Sequence, residues 1–307
     1  MNSFDTIIIG GGPAGMTAGI YLARARRKVV IIDKGIPGGQ MVLTHEIANY
    51  PGFENISGYM LATNMKKQAE SFGAVIKSNA RIEKMSLDGE RKTVELFGGE
   101  VYSAPAVILA TGGRSRQLGV KGETEFTGRG ISYCATCDGD FFQDKEIIVV
   151  GGGNAALEEA VSLTTYASKV TIVHQFDNWQ AFASAVKEME ENPKIDTIME
   201  SRIVEFKGEM SLQEVVIEHI PTGERYTKKI DGTFIFIGYV PNTEELKGVV
   251  ELNKWNEIVV DDKLMTSVDG VFAAGDSIAK RYRQITTAVA DGTVAALNVL
   301  EFLNDKE

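Results

Sequence analysis

Two segments of this chain are built to one plan, and that plan forces parallel sheets. The first runs Phe4-Asp5-Thr6-Ile7-Ile8-Ile9, then Gly10-Gly11-Gly12-Pro13-Ala14-Gly15, then a helical pattern through Arg24. The second runs Glu146-Ile147-Ile148-Val149-Val150, then Gly151-Gly152-Gly153-Asn154-Ala155-Ala156, then a helical pattern through Thr165. Each is followed by another β-rich run, residues 28–32 and 169–173. A strand, a glycine turn, a helix and a second strand make a βαβ unit, whose strands are parallel and whose helix must cover a sheet face. Two such units predict an α/β fold with two doubly wound, Rossmann-like nucleotide-binding domains.

The rest of the chain repeats the plan. Residues 94–97 and 101–102 flank Gly98-Gly99 and read as a hairpin, and Ala106-Val107-Ile108-Leu109 then leads into Ala110-Thr111-Gly112-Gly113. In the second unit, residues 211–220 and 226–230 flank Pro221-Thr222-Gly223, and the run 233–237 ends at Gly238. The end of the chain starts no third repeat. Val271-Phe272-Ala273-Ala274 is a buried-strand pattern ending in Gly275-Asp276, and residues 284–302 carry apolar residues at helical spacing. Both read as a return to the first domain. The expected organisation is a discontinuous domain of residues 1–115 and 238–307, with residues 116–237 inserted.

The formal net charge is −10, with no Lys/Arg-rich run suited to a polyanion, so no nucleic acid is expected as a partner. The start lacks a basic segment followed by an apolar one, and no run is read as approaching the roughly 18 apolar residues of a membrane span. A cytoplasmic protein without a membrane is the expectation. Of the side chains that bind zinc, there are two cysteines and the scattered His45, His174 and His219, which lack ligand spacing; no metal is expected.

Gly10, Gly12 and Gly15 form a G-x-G-x-x-G pattern after a strand and before a helix. The first glycine permits the tight turn, the second lets a pyrophosphate approach the backbone, and the third lets helix pack on strand. Asp33 lies 18 residues past Gly15, near the spacing of a ribose-binding carboxylate. The second turn offers Gly151, Gly153 and Ala156, but the same count of 18 ends on His174. No arginine lies between Arg129 and Arg202, so neither an acid for a 2′-hydroxyl nor a clamp for a 2′-phosphate is in place. A structural relic and a working nicotinamide site stay open. Phe176, Trp179 and Phe182 cluster where the arginines would be, and read as core packing of a helix face.

Cys134 and Cys137 are separated by two residues, close enough to form a short, reducible disulfide. One would attack a substrate disulfide and the other would face a flavin, while Asp138 could carry protons to and from the leaving thiolate. A structural disulfide and half a zinc site are the competing readings. Gly275-Asp276 ends a strand, and Arg283-Gln284-Ile285 opens the last helix. Asp276 would bond a ribityl hydroxyl or act as a plain cap.

Together these residues resemble the low-molecular-weight thioredoxin reductases over nearly the whole chain. The resemblance is carried by Gly10 to Gly15, Gly38-Gly39-Gln40, Asn49-Tyr50-Pro51-Gly52, Ala110-Thr111-Gly112, Cys134-Ala135-Thr136-Cys137-Asp138-Gly139, Gly238-Tyr239-Val240-Pro241-Asn242-Thr243, and Ala274-Gly275-Asp276 with Arg283-Gln284. It implies FAD in the first domain, thioredoxin as substrate and a homodimer. The flavin contacts it implies are Gly10, Gly12, Pro13, Ala14, Gly15, Asp33, Lys34, Gly39, Gln40, Asn49, Arg81, Ile82, Ala110, Thr111, Gly112, Gly275, Asp276, Arg283, Gln284 and Ile285. One departure is marked. Where NADPH-dependent members read His-Arg-Arg with a further Arg downstream, this chain reads His174-Gln175-Phe176, then Gln180-Ala181. That loss is similar to the ferredoxin-dependent flavin thioredoxin reductases, and implies reduced ferredoxin as electron donor. The retained Gly151-Gly153-Ala156 turn leaves NADPH or NADH as the alternative donor, and a non-catalytic flavin redox sensor is the alternative of another class. The basic clusters at residues 24–28 and 280–283 read as solvated surface or as docking patches.

Overall fold

The computed structural model describes residues 1–44 and 47–306; His45 lies outside them. The chain divides into two compact units, Met1–Arg114 with Val240–Glu307, and Ser115–Tyr239. The strands Gly113–Ser115 and Tyr239–Pro241, where the chain passes between units, pair with each other.

In the first unit five parallel strands lie in the order Val271–Ala273, Ala106–Leu109, Thr6–Ile9, Val29–Ile32, Val75–Lys77. Ile7 sits in register with Val30 on one side and Val107 on the other. Every residue of Thr6–Ile9 and Val29–Ile32 is buried, which is why these runs are continuously apolar rather than alternating. The helix Pro13–Arg24 begins with proline at its first turn, where the missing N–H has no intrahelical partner to lose. A Cβ on Gly15 would lie 1.9 Å from the Gly10 carbonyl oxygen, so only glycine lets this helix sit so close to its own turn. A second sheet, in the order Asn2–Ser3, Val101–Ala104, Lys92–Leu96, Ile82–Ser86, contains the hairpin read from the sequence and adds Ile82–Ser86 as an antiparallel edge.

The C-terminal helix Ile285–Asn304 starts in a capping box formed by Gln284 and Thr287. Its 20 residues, with a mean hydropathy of 1.2 over an 18-residue window, are by length and composition alone long and apolar enough to cross a membrane, a test that core helices also meet. One face of the helix packs into this unit's core, burying Ala288, Gly292, Ala295, Ala296, Val299 and Leu303. Gly292 comes so near the first helix that a Cβ would sit 2.2 Å from the Ala14 carbonyl oxygen.

The second unit repeats the plan with parallel strands in the order Ile131–Ser132, Gly232–Ile235, Glu146–Val150, Lys169–Val173, Ile195–Ile198. Its antiparallel sheet of Ser201–Gly208, Leu212–His219 and Arg225–Lys229 holds one strand more than the sequence pattern suggested. The α/β class and the two doubly wound parallel sheets are therefore as the glycine turns predicted. The aromatic cluster is not uniformly core: Trp179 packs on the interior, but Phe176 and Phe182 are exposed, at 42% and 71%. Phe182 caps the helix Ala183–Glu190 instead of lying on its inner face.

Candidate active site

The first glycine turn leaves the carboxyl end of the central strand, and its neighbours in space leave the carboxyl ends of the adjacent strands. This is where open α/β sheets present a crevice. Gly10 has φ +105°, and its Cβ would collide with the Ala110 carbonyl oxygen at 2.1 Å, so turn and neighbouring strand end are locked together. Gly12, by contrast, opens into space: its Cβ would meet only Gly39 Cα, at 3.8 Å. Asp33 braces the turn, accepting the Gly11 N–H at 2.6 Å on one oxygen and the Gly35 N–H at 2.7 Å on the other. Pro13, Ala14 and Gly15 form the helix start, and the exposed Gly39 and Gln40 open the 3-10 turn Gly39–Leu43 beside Gly12.

The neighbouring strand end carries Ala110, Thr111 and Gly112. Among the described residues, the buried Thr111 hydroxyl oxygen has no hydrogen-bond partner, and nothing lies within 4 Å of a Cβ placed on Gly112. Asn242 fixes this segment from the returning chain, its side-chain N–H₂ donating to the Thr111 carbonyl at 2.9 Å while its backbone N–H donates to Gly112. Arg114 in turn holds Asn242 and Glu244. Gly275 and Asp276 follow the outer strand in a short 3-10 turn. Burial pushes the Asp276 carboxyl up from its usual range; Lys280, 3.8 Å away, and Arg283 pull it back, and Asp291 adds to the rise. Asp291 also accepts the Gly275 N–H and pairs with Lys280 at 2.5 Å. Asn49 lies 3.5 Å from Gln284, which brings those two predicted contacts together.

Some predicted contacts sit differently. Arg283 forms an ion pair with Glu257, which the sequence reading passed over, so its guanidinium braces the protein's own chain. Lys280 and Arg283 both turn inward to carboxylates, leaving Arg281 as the exposed cation of that supposed docking cluster. Arg81 lies over the Phe97 ring and Ile82 pairs with Leu96 in the second sheet; it is Ala80 that meets the turn, donating to the Asp33 carbonyl at 2.8 Å. Lys34 is exposed, and Ile285 is partly buried against the core.

In the second unit Gly151 mirrors Gly10: φ is +142°, and a Cβ would meet the Phe236 carbonyl oxygen at 2.4 Å. His174 takes the place of Asp33. Its ring covers Gly152, whose Cβ would fall 2.2 Å from it, and it stacks on Trp179 with centroids 5.3 Å apart. Burial holds the imidazole pKa below its ordinary value, and Asn178 partners Nε2 through its carbonyl at 3.1 Å. The following loop folds back on the turn, with Gln180 N–H donating to the Gly152 carbonyl and Phe182 N–H to Asn154 Oδ1. Of the unit's four guanidiniums, Arg116 lies against Gly238 and the other three bind within the chain. Arg202 and Arg225 both bind Glu218, and Arg129 reaches the Glu125 carbonyl.

Cys134 and Cys137 are joined in a disulfide, with Cα atoms 5.3 Å apart and S–S 2.08 Å. They flank the first turn of the short helix Ala135–Asp138, which follows the edge strand Ile131–Ser132. Asp138 is half-buried beside them, and desolvation pushes its carboxyl above the usual range; a bond from the Ser132 hydroxyl, 2.5 Å away, opposes the rise, and Asp140 adds to it. Ser132, absent from the sequence reading, also accepts the Cys134 N–H at 3.0 Å. Tyr133, between them, donates to the buried Glu123, whose carboxylate accepts the Leu118 and Gly119 N–H groups as well. Among the described residues no group of three or more His, Cys, Asp or Glu is gathered as metal ligands would be.

Two glycine turns on parallel sheets and one redox-capable cysteine pair define a dinucleotide-binding disulfide oxidoreductase. The model of the pyridine nucleotide-disulphide oxidoreductase family matches residues 4–292. The chain is 45% identical over 309 residues to a thioredoxin reductase of Peptoclostridium acidaminophilum, covering 98% of each, and 43% identical to that of Bacillus subtilis, covering 98% and 95%. The crystal structure of thioredoxin reductase from Streptococcus pyogenes superposes with a TM-score of 0.95 at 42% identity, covering 99% of both chains. This chain therefore belongs to the low-molecular-weight thioredoxin reductase family within the pyridine nucleotide-disulphide oxidoreductases.

Proposed function

We propose that the protein is a flavin-dependent thioredoxin reductase that receives electrons from reduced ferredoxin. The observation that carries the disulfide chemistry is the Cys134–Cys137 bond with half-buried Asp138 beside it. A thiolate of the reduced pair attacks the thioredoxin disulfide, the S–S bond of thioredoxin breaks, and Asp138 gives its proton to the leaving sulfur. The second enzyme thiolate then displaces thioredoxin, restoring the Cys134–Cys137 disulfide.

FAD fits the first unit. Open space at Gly12 and Gly112 suits a pyrophosphate and its sugar, and the buried, unpartnered Thr111 hydroxyl is ready for a ligand bond. Gly10, Gly12, Pro13, Ala14 and Gly15 would hold the phosphates, Asp33 and Gln40 the adenosine side, and Asn49, Asp276 and Gln284 the flavin side. Bound there, the flavin would take electrons singly and pass a pair to the disulfide.

The ferredoxin reading is supported by the commitment of Arg202 and Arg225 to Glu218 and by Gln175 and Phe176 beside the second turn. Neither Arg202 nor Arg225 is left to grip a 2′-phosphate, and positions 175 and 176 carry no guanidinium. The intact geometry of Gly151 favours the second reading, an NADPH-dependent enzyme with a divergent clamp. An anaerobic titration separates the two. Micromolar NADPH or NADH is expected to leave the flavin oxidised, while reduced ferredoxin bleaches it; rapid stoichiometric bleaching by either nucleotide would sink the ferredoxin donor. A homodimer in the cytoplasm is part of the same proposal.

A further inference from the structure

A proton carrier in a buried site must be accommodated in both of its states, charged and neutral. Asp138 has one neighbour equipped for that. The Ser132 hydroxyl oxygen is 2.5 Å from Asp138 Oδ2 and 3.3 Å from the Cys134 carbonyl oxygen, and it accepts the Cys134 N–H at 3.0 Å. With the N–H always occupying one lone pair, the hydroxyl proton has two acceptors within reach, the Asp138 carboxylate and the Cys134 carbonyl. Ser132 is 5% exposed on the edge strand, so both choices are made within the protein.

We propose that Ser132 is a positioning residue for proton transfer at Asp138, its hydroxyl turning between Asp138 Oδ2 and the Cys134 carbonyl as Asp138 loses and gains its proton. When Asp138 is ionised, Ser132 donates to it. When Asp138 is protonated, its O–H donates to Ser132 Oγ and the serine proton turns to the Cys134 carbonyl. No buried donor or acceptor is orphaned in either state, which keeps the exchange inexpensive. During thiol–disulfide exchange the proton leaves Asp138 for the departing thiolate, the hydroxyl turns back to the new carboxylate, and solvent later returns a proton to Asp138. No other atom changes hands.

The other groups around Asp138 do not do this. Asp140, on the turn Gly139–Phe142, opposes ionisation through its charge. Glu158 and Glu159 are the acids of the helix Asn154–Leu163 packed on the cysteine helix, and Tyr166 borders Gly139. Of the side chains around the carboxylate, the Ser132 hydroxyl is the one whose bond favours its charged form.

The proposal rests on the role given to Asp138 above, but its test needs neither thioredoxin nor a donor. Infrared difference spectra of the resting, disulfide-bonded holoenzyme follow the protonated carboxyl band with pH, and Asp138→Asn identifies that band. Ser132→Ala is expected to raise the midpoint by about one pH unit, since it removes a bond worth most to the charged form. Ser132→Thr, which keeps the hydroxyl, is expected to restore it. An unchanged midpoint in Ser132→Ala overturns the proposal. A second arm uses the wild-type protein with cysteine carbonyls labelled by ¹³C, which marks only residues 134 and 137. The labelled stretch is expected to fall in frequency as Asp138 becomes protonated, and the absence of any coincident shift overturns the proposal equally. Failure of thioredoxin turnover would instead sink the functional reading and leave both measurements standing.

Discussion

A half-buried carboxylate beside a disulfide carries a stability cost that its chemistry makes useful. Asp138 has a folded-state pKa above its ordinary value of 3.8, so its contribution to stability is fully present below that pH and is lost as pH rises through the raised value. At a pH above its ordinary value the group is a burden on stability. Asp138→Asn is therefore expected to raise the melting temperature at pH 7, with the difference vanishing in acid, as a pH series of thermal unfolding would read. The same variant should slow thioredoxin reduction by roughly 10²-fold or more, the usual contribution of a positioned acid. At this scale the sequence was partly legible. The spacing of Cys134, Cys137 and Asp138 announced itself because these residues are neighbours in the chain. Asp291, Glu257 and Asn242 did not, because each acts on a partner distant in sequence: Gly275, Arg283 and Thr111 respectively. Ser132 is close in sequence, yet an isolated serine in an apolar strand gives no pattern until its contacts are seen.

Glycine positions decide how close the elements lie. Gly292 in the C-terminal helix faces the Ala14 carbonyl, so Gly292→Ala gains about 1 kcal/mol of helix propensity but meets a backbone atom 2.2 Å from the new carbon. Overpacking of this kind costs about 1–3 kcal/mol, and a backbone neighbour cannot swing aside, so the steric effect wins. The variant is expected to unfold at lower denaturant than the parent, with an unchanged slope. Gly10→Ala combines φ +105° with a 2.1 Å clash against Ala110 and should lose more, along with FAD retention on gel filtration. The glycine turns and buried strands were legible because periodicity and punctuation are local signals. The edge strands Ile82–Ser86 and Ser201–Gly208 were not, since their mixed polar character reflects a half-covered sheet rather than a core.

At the scale of the whole molecule, duplication explains both what is kept and what has changed. Asp33 and His174 stand at corresponding places in the two units, one bracing its turn through a carboxylate and the other covering its turn with a ring. If the missing guanidiniums alone bar NADPH, Gln175→Arg with Phe176→Arg should let the nucleotide bleach the flavin anaerobically where the parent stays oxidised; no gain would mean that more than the clamp has been lost. The formal charge of −10 opposes an acidic donor in bulk, so docking of ferredoxin would depend on local cations such as those at residues 24–28. The proposed reductase activity requires electrons to leave through the cysteine pair. The most direct measurement is a single turnover, with oxidised thioredoxin, of holoenzyme photoreduced by two electrons, comparing the parent with Cys137→Ser. The parent should yield close to one equivalent of thioredoxin dithiol, and the variant none, with its FAD absorbance intact. Thioredoxin reduction by Cys137→Ser at the parental rate would contradict the account.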